Sequence, residues 1–487
     1  MRIKRSITAA LLCVAGALAL AAQPARPGAA AAAAPSLPAA TPSSAASPVP
    51  TPVPQGVIPP AAVPPGATPP ATDAETDQDT TLPEPSSAAQ KVYSAAKGDL
   101  LQIRMLLKSG RSQSTVGSGF LVGTSNLVLT NYHVVSQMAL EPNAYSGEYI
   151  DTDGKSGPIE LLAVDVLHDL AVVRVDRFGS GFFTIPTRST LTQGQYLYSL
   201  GNPLDLGFAI SEGAYNGIVT RSFYDHLMFT GPINSGMSGG PSVTADGKVA
   251  GVNVSRRRDG ELVSFLVPIR YAQQLLDKVA GQARAPKDFN PLIAQQLLSH
   301  QRGMIDRLLE QPLALKMMGP YHVPVRESGQ VRCWGRSNDQ ALATFNADTI
   351  ACSMESAVFV SETQQTGHVS MVHHYIRATS LDPVRFAVMV SGVFKADKPG
   401  SARDARLTEP KCTESFVTTK TLPLRAVTCV RAYRKFEGLY NFTLLTASTD
   451  DARASLQSRL DVTGVSYENG LRTTRAFLAA LGRSGQR

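Results

Sequence analysis

The chain predicts a mainly β fold followed by a smaller α+β segment. Three observations carry that prediction. From about residue 88 to 280 the sequence is a succession of short β-branched runs separated by Gly, Asn and Asp, the pattern of antiparallel strands joined by tight turns. Asp246-Gly247 divides Pro241-Ser242-Val243 from Val249-Ala250-Gly251-Val252, a hairpin signal because Gly takes the positive φ such a turn needs. Beyond Gly319, a set of strand-like runs is followed by helix-like ones, an α+β pattern.

With 487 residues and 43% hydrophobic content, the chain has room for two globular domains and a tail. The net charge of +7 is mild, and Arg256-Arg257-Arg258 is its conspicuous basic cluster. That cluster reads as a solvated loop after a strand, and without aromatic interleaving it does not predict a nucleic-acid partner.

Taken in order, residues 1–22 read as a secretory signal peptide. Arg2, Lys4 and Arg5 precede the apolar run Ile7 to Leu20, and Ala19-Leu20-Ala21 is a small-residue cleavage site. The run is short of the ~20 residues a membrane span needs, so no stable span is expected after cleavage and the location is periplasmic or secreted. Cys13 follows Leu12, an unsuitable setting for a lipid anchor. Residues 23–87 are rich in Pro, Ala, Thr and Ser, a composition that cannot bury enough apolar surface to offset ordering entropy. They read as a disordered linker.

Ser87 to Lys97 is helix-prone with Ser87 as N-cap, and Leu100–Leu107 and Val116–Val122 read as the first strands. Tyr271–Lys278 reads as a short helix. Asn290–Met317 reads as a long one, with Ile293, Leu297, Met304 and Leu308 on a packing stripe. The expected boundaries are therefore 88–285, a helical linker over 286–318, and an α+β segment of unassigned role over 319–487. In that segment 357–360, 386–390, 426–430 and 442–445 read as strands, Ser448-Thr449-Asp450-Asp451 as a helix cap, and Gly470–Leu481 as a helix. Cys333, Cys352, Cys412 and Cys429 all lie here. An even number behind an export signal predicts disulfides, with local pairs Cys333–Cys352 and Cys412–Cys429 preferred. A zinc site has no CxxC spacing to support it, and neither metal nor cofactor is expected.

The chemistry centres on Gly236-Met237-Ser238-Gly239-Gly240-Pro241. A serine among glycines lets the backbone turn sharply and approach a substrate. The Gly236 and Ser238 amides are candidate oxyanion donors and the Ser238 hydroxyl a candidate nucleophile; a tight turn without chemistry is the plain alternative. Upstream, an apolar run ends at His133, and Asp169 opens a β-branched run. The order His133, Asp169, Ser238 is that of a base–orienter–nucleophile triad. Asp165 is an alternative orienter, His168 reads as a surface residue, and His373-His374 as part of an exposed strand or loop whose side chains face opposite ways.

The segment from about Ala88 to Ala280 resembles the trypsin-like serine protease domain of the Deg/HtrA type. Gly117-Ser118-Gly119-Phe120, Thr130-Asn131-Tyr132-His133-Val134-Val135, Asp169-Leu170-Ala171-Val172, Gly201-Asn202-Pro203 and Gly236 to Pro241 match that family's motifs in order. The resemblance implies two six-stranded antiparallel β-barrels, a serine endopeptidase working through an acyl-enzyme, and protein or peptide substrates. Nothing after Ala280 reads as a PDZ domain. The competing readings are a protease fold kept as a binding module and a non-proteolytic esterase. In trypsin an aspartate six residues before the serine selects Arg and Lys; here that position is Pro232, and Val252, Asn253 and Val254 are expected on the pocket wall. A small or medium aliphatic side chain is therefore expected at P1. Met237 stands where the family carries Asn or Asp. It predicts either a loosely held Gly236 peptide, since methionine fixes orientation poorly, or simple packing into an apolar pocket.

Overall fold

The computed structural model describes residues 86–487 apart from 189–190, 220, 257–262, 281–283, 339–342, 397–403, 420 and 485–487. The signal-peptide reading, the linker reading up to residue 85, and most of the Arg256–Arg258 cluster lie outside the described residues. The described residues form one compact unit. No helix among the described residues is long and apolar enough to cross a membrane.

Helix α1 (Ser87–Ala96) is capped by Ser86, one residue earlier than expected, whose hydroxyl accepts the Ala89 amide at 3.0 Å. The first sheet runs Ser156–Pro158, Tyr145–Asp151, Leu100–Leu107, Gln113–Leu121, Leu127–Thr130, Leu170–Arg174, Glu160–Asp165. By hydrogen bonding it has seven strands, not the six of a closed barrel. Its two edge strands are halves of one continuous stretch, 156–165, split at Ile159 after Pro158, which has no N–H to carry the ladder onward. The first half pairs with Tyr145–Asp151 and the second with Leu170–Arg174, so the sheet curls back on itself. Helix α2 (Tyr132–Leu140) follows the strand Leu127–Thr130.

The second sheet is a closed six-stranded barrel in the order His226–Phe229, Ser264–Pro268, Val249–Arg256, Pro241–Val243, Tyr196–Gly201, Ala209–Val219. Gly247 turns the hairpin expected at Asp246-Gly247 with a φ of 78°. Helix α3 (Ile269–Val279) closes this part, and helix α4 (Asn290–Leu308) follows. α4 ends nine residues earlier than the expected Met317, because Pro312 bars continuation; Ala314–Met318 is instead a strand. Its stripe is buried as expected, and Ile293 and Leu297 share a core with the first sheet. At roughly 1.5–3 kcal/mol for each fully buried side chain, α4 is an integral packing element.

The C-terminal part is a seven-stranded antiparallel sheet ordered Val331–Ser337, Phe345–Met354, His368–Ala378, Ala454–Val465, Tyr440–Ser448, Pro423–Ala432, Lys411–Thr418. Helix α5 (Pro383–Ala396) occupies the run expected as a strand at 386–390. The Asp382 carboxylate accepts the amides of Val384 and Arg385, and Pro383 starts the helix; this start signal outweighs the β-branched content. The expected cap at Ser448–Asp451 is a hairpin turn, where Asp451 accepts the Arg453 and Ala454 amides. Helix α6 (Tyr467–Ala480) matches the last predicted helix. Cys333–Cys352 and Cys412–Cys429 are disulfides, both between strands in register. A small hairpin, Val358–Ser361 with Gln364–Thr366, projects from this part onto α2.

Candidate active site

His133 sits in the first turn of α2, not at the end of a strand. Asp169 immediately precedes the strand Leu170–Arg174 and holds a positive φ of 54°. That conformation is uncommon for a residue with a Cβ, and aspartate tolerates it better than most. The Asp169 carbonyl is held by the Asn131 side chain at 2.7 Å and the Tyr132 amide at 3.1 Å. This fixes the carboxylate: Oδ1 accepts the His133 backbone amide at 2.8 Å, and Oδ2 lies 2.6 Å from His133 Nδ1. Burial by itself lowers the His133 pKa, but the charge of Asp169 and its hydrogen bond outweigh burial and the net direction is upward. Asp165 is engaged elsewhere, 2.7 Å from His168 Nδ1.

Ser238 comes from the second barrel. Its hydroxyl donates to the Val254 carbonyl at 3.3 Å, and no hydrogen bond joins it to His133 among the described residues. Its carbonyl accepts the Ser118 amide at 2.7 Å, binding the serine loop to the first sheet. Within the loop, the amides of Met237, Gly239 and Gly240 donate to Asn234, Asn253 and Met237 carbonyls. The Gly236 and Ser238 amides donate to no described residue.

The loop is gripped from outside. The Ser118 hydroxyl donates to the Gly236 carbonyl at 2.7 Å and accepts the Asn202 amide at 2.9 Å. The Ser235 carbonyl accepts the Leu204 amide at 2.8 Å. Gly236 and Gly239 have φ of 91° and 88°, and a Cβ on them would lie 2.3 Å from the Asn202 carbonyl oxygen and 2.1 Å from that of Ser118. Only glycine fits there. The five sequence motifs thus meet at one place.

Among solved structures, the serine endoprotease from Yersinia pestis aligns over 41% of this chain and 69% of its own, at 24% identity and a TM-score of 0.36. The mitochondrial serine proteases HTRA2 of Drosophila virilis and Drosophila grimshawi are 32% and 31% identical over 177 residues, 34% of this chain and 40% of theirs. The match therefore spans less than half of those relatives' length. Residues 117–252 fit the family model described as a trypsin-like peptidase domain. This segment is a trypsin-like peptidase domain, similar to that of the Deg/HtrA-type relatives.

The peptidase domain places the other expected residues less uniformly. Met237 is 2% exposed and packs with Leu197, Phe229, Ile233 and Leu266 in the barrel core, where its Sδ accepts the Asn234 amide at 3.5 Å. That geometry is the packing alternative, since the residue fills a preformed apolar site. Val254 borders the candidate site, but Val252 is core and Asn253 is wholly buried. Neither is a pocket wall. The Asn253 side chain accepts the Ser199 and Ser242 hydroxyls and donates to the Leu200 and Met237 carbonyls, so it braces the loop from behind. Pro232 is exposed in the loop after the strand His226–Phe229.

His168 is not a surface residue: its ring stacks on Tyr271 of α3 at 3.7 Å and meets Tyr224 edge-on at 4.5 Å. His373 is fully buried on a central strand, bonded to Ser458 and the Pro324 carbonyl, and burial lowers its pKa to about 4. The expected exposed strand is corrected there, because the sheet is covered by α6, whose Phe477 stacks on the ring. Among the described residues no cluster of three or more His, Cys, Asp or Glu is placed to hold a metal. One neighbour had no signal in the sequence. Phe359, from the C-terminal hairpin, lies edge-on to His133 with ring centroids 5.9 Å apart.

Proposed function

We propose that this chain is an exported serine endopeptidase in which His133, Asp169 and Ser238 form the catalytic triad. The double hold of Asp169 on His133 is the observation that carries the reading: one oxygen accepts the backbone amide and the other faces Nδ1. An imidazole so held presents Nε2 as base. Neutral His133 takes the Ser238 proton as the hydroxyl attacks a peptide carbonyl, and Asp169 stabilises the imidazolium. The unengaged Gly236 and Ser238 amides stabilise the oxyanion, each donor contributing roughly 3–4 kcal/mol in sites of this kind. His133 then protonates the leaving amine, and water resolves the acyl-enzyme. Two disulfides fit an oxidising compartment and so support export. With Pro232 six residues before Ser238 in place of an acidic residue, a small or medium aliphatic P1 residue is expected.

Fluorophosphonate labelling of the full chain tests the triad. Wild type should be labelled and cleave peptides, and Ser238→Ala should do neither while keeping its fold. A second reading, a binding protein on a protease fold, is favoured by the Ser238 hydroxyl resting on Val254. Labelling of neither would decide for it, whereas equal labelling of wild type and Ser238→Ala would show that Ser238 is not the nucleophile.

A further inference from the structure

We infer that the C-terminal hairpin Val358–Ser361/Gln364–Thr366 is a wall of the substrate cleft, and that the cavity behind it takes an apolar side chain of the peptide beside the scissile bond. This rests on the endopeptidase reading above. The cavity holds about 180 Å³. One side is Val166, Leu167, Asp169 and Val254, from the peptidase part; the other is Val358 and Phe359, from the hairpin.

Its position ties it to the chemistry. Asp169 holds His133, the Val254 carbonyl receives the Ser238 hydroxyl, and the Phe359 ring meets His133. His133 and Ser238 do not themselves line the cavity, but Asp169 and Val254, which bond to them, do, and this places it beside a peptide whose carbonyl sits at Ser238. A larger groove of about 500 Å³ shares Ser222, His226 and Ser356 with the cavity and runs on to Trp334, leaving a path for the rest of the peptide.

Size and polarity select the occupant. The volume equals about six waters at roughly 30 Å³ each, enough for one side chain and below the ~300 Å³ at which small-molecule sites begin. His226 and His300 at its far end are held below the usual histidine range by burial, His300 at about 4, so both are neutral near pH 7. His168 faces Asp165, and the Asp169 carboxylate is occupied by His133. Every oxygen of the two carboxylates already accepts a hydrogen bond, so a charged side chain would find no free partner there, whereas an apolar one needs none.

The hairpin is a wall and not a plug. His133 keeps 26% of its side-chain surface exposed despite Phe359. The wall is also rigid. Tyr132 donates to the Val360 carbonyl at 2.9 Å, Thr115 donates to Glu362 at 3.1 Å, and Val358 and Val360 are buried in the core shared with the first sheet. Substrate selection by this enzyme is therefore built partly by the segment that lies outside the trypsin-like match.

A positional-scanning fluorogenic peptide library, run on the full chain, tests this with two variants. Phe359→Ala removes the wall's ring, and Ala357→Trp fills the cavity from an exposed rim position. Wild type should prefer bulky apolar residues over Gly at one position flanking the scissile bond by about 10-fold or more. Phe359→Ala should cut that preference to within about three-fold, and Ala357→Trp should reverse it toward Gly or Ala, with other positions unchanged. Should Phe359→Ala prove unfolded by circular dichroism, Ala357→Trp alone carries the test. Identical profiles in a wild type and variants that all label with fluorophosphonate overturn the subsite and leave the endopeptidase reading standing. A wild type that neither labels nor cleaves overturns both.

Discussion

Ser118 and Gly236 are joined across 118 positions of sequence: the serine hydroxyl donates to the glycine carbonyl at 2.7 Å. The same hydroxyl accepts the Asn202 amide, so one buried group orients two turns that flank Ser238. Ser118→Ala leaves a buried acceptor and donor without partners, each costing about 1–3 kcal/mol. Denaturant unfolding should show a loss in that range. With the Gly236 peptide freed, kcat/KM on a short peptide should fall by about 10-fold or more. An unchanged kcat/KM would mean that the Leu204 amide holds the loop unaided.

Met237 provides the second prediction. At 2% exposure within an apolar cluster, its replacement by Asn buries an amide whose oxygen could keep the Asn234 N–H but whose NH2 meets only Leu, Ile and Phe side chains. Met237→Asn should lose about 1–3 kcal/mol of stability and gain no kcat/KM. A well-folded, faster Met237→Asn enzyme would restore the view that methionine leaves the oxyanion donors poorly organised.

The third prediction concerns pH. The His133 pKa is raised in the folded protein because the Asp169 charge and hydrogen bond outweigh burial. Below that pKa the imidazole is protonated and cannot take the Ser238 proton. The acid limb of kcat/KM should therefore have its midpoint above the ordinary histidine value of about 6.5. Asp169→Asn removes the charge and should lower activity by about 10⁴-fold, as loss of the orienting aspartate does in such triads. A wild-type acid limb at or below the ordinary value would contradict the geometry.

The disulfides give a fourth. Each clips an edge strand of the seven-stranded C-terminal sheet to its inner neighbour. The edge strand Lys411–Thr418 is exposed along almost its whole length, so little burial holds it in place. The closed loops, with sequence separations of 19 and 17, each correspond to about 3 kcal/mol of chain entropy. Non-reducing mass spectrometry should find no free thiol among these four cysteines. Under reductant, amide exchange should accelerate first in 411–418 while 454–465 stays protected. Uniform protection before and after reduction would show that the sheet holds its edges without the bridges.

The sequence alone determined the local features that depend on a residue's own chemistry. The turn at Asp246-Gly247, the strand Leu100–Leu107, helices near 87 and 467, and the order His133, Asp169, Ser238 all follow from glycine's conformational freedom, side-chain periodicity and motif spacing. Two errors came from residue types that serve more than one structure: Asp382-Pro383 opens a helix within a β-branched run, and the Asp451 carboxylate bonds nearby amides in a hairpin turn as readily as in a cap. Only the tertiary structure decided what a side chain meets across long separations. It buried Met237 and His373, turned Asn253 from a pocket wall into a brace, and set the C-terminal Phe359 against His133. No local pattern encodes such contacts, because the surface each residue covers comes from another stretch of chain, here 228 positions away for Tyr132 and Val360.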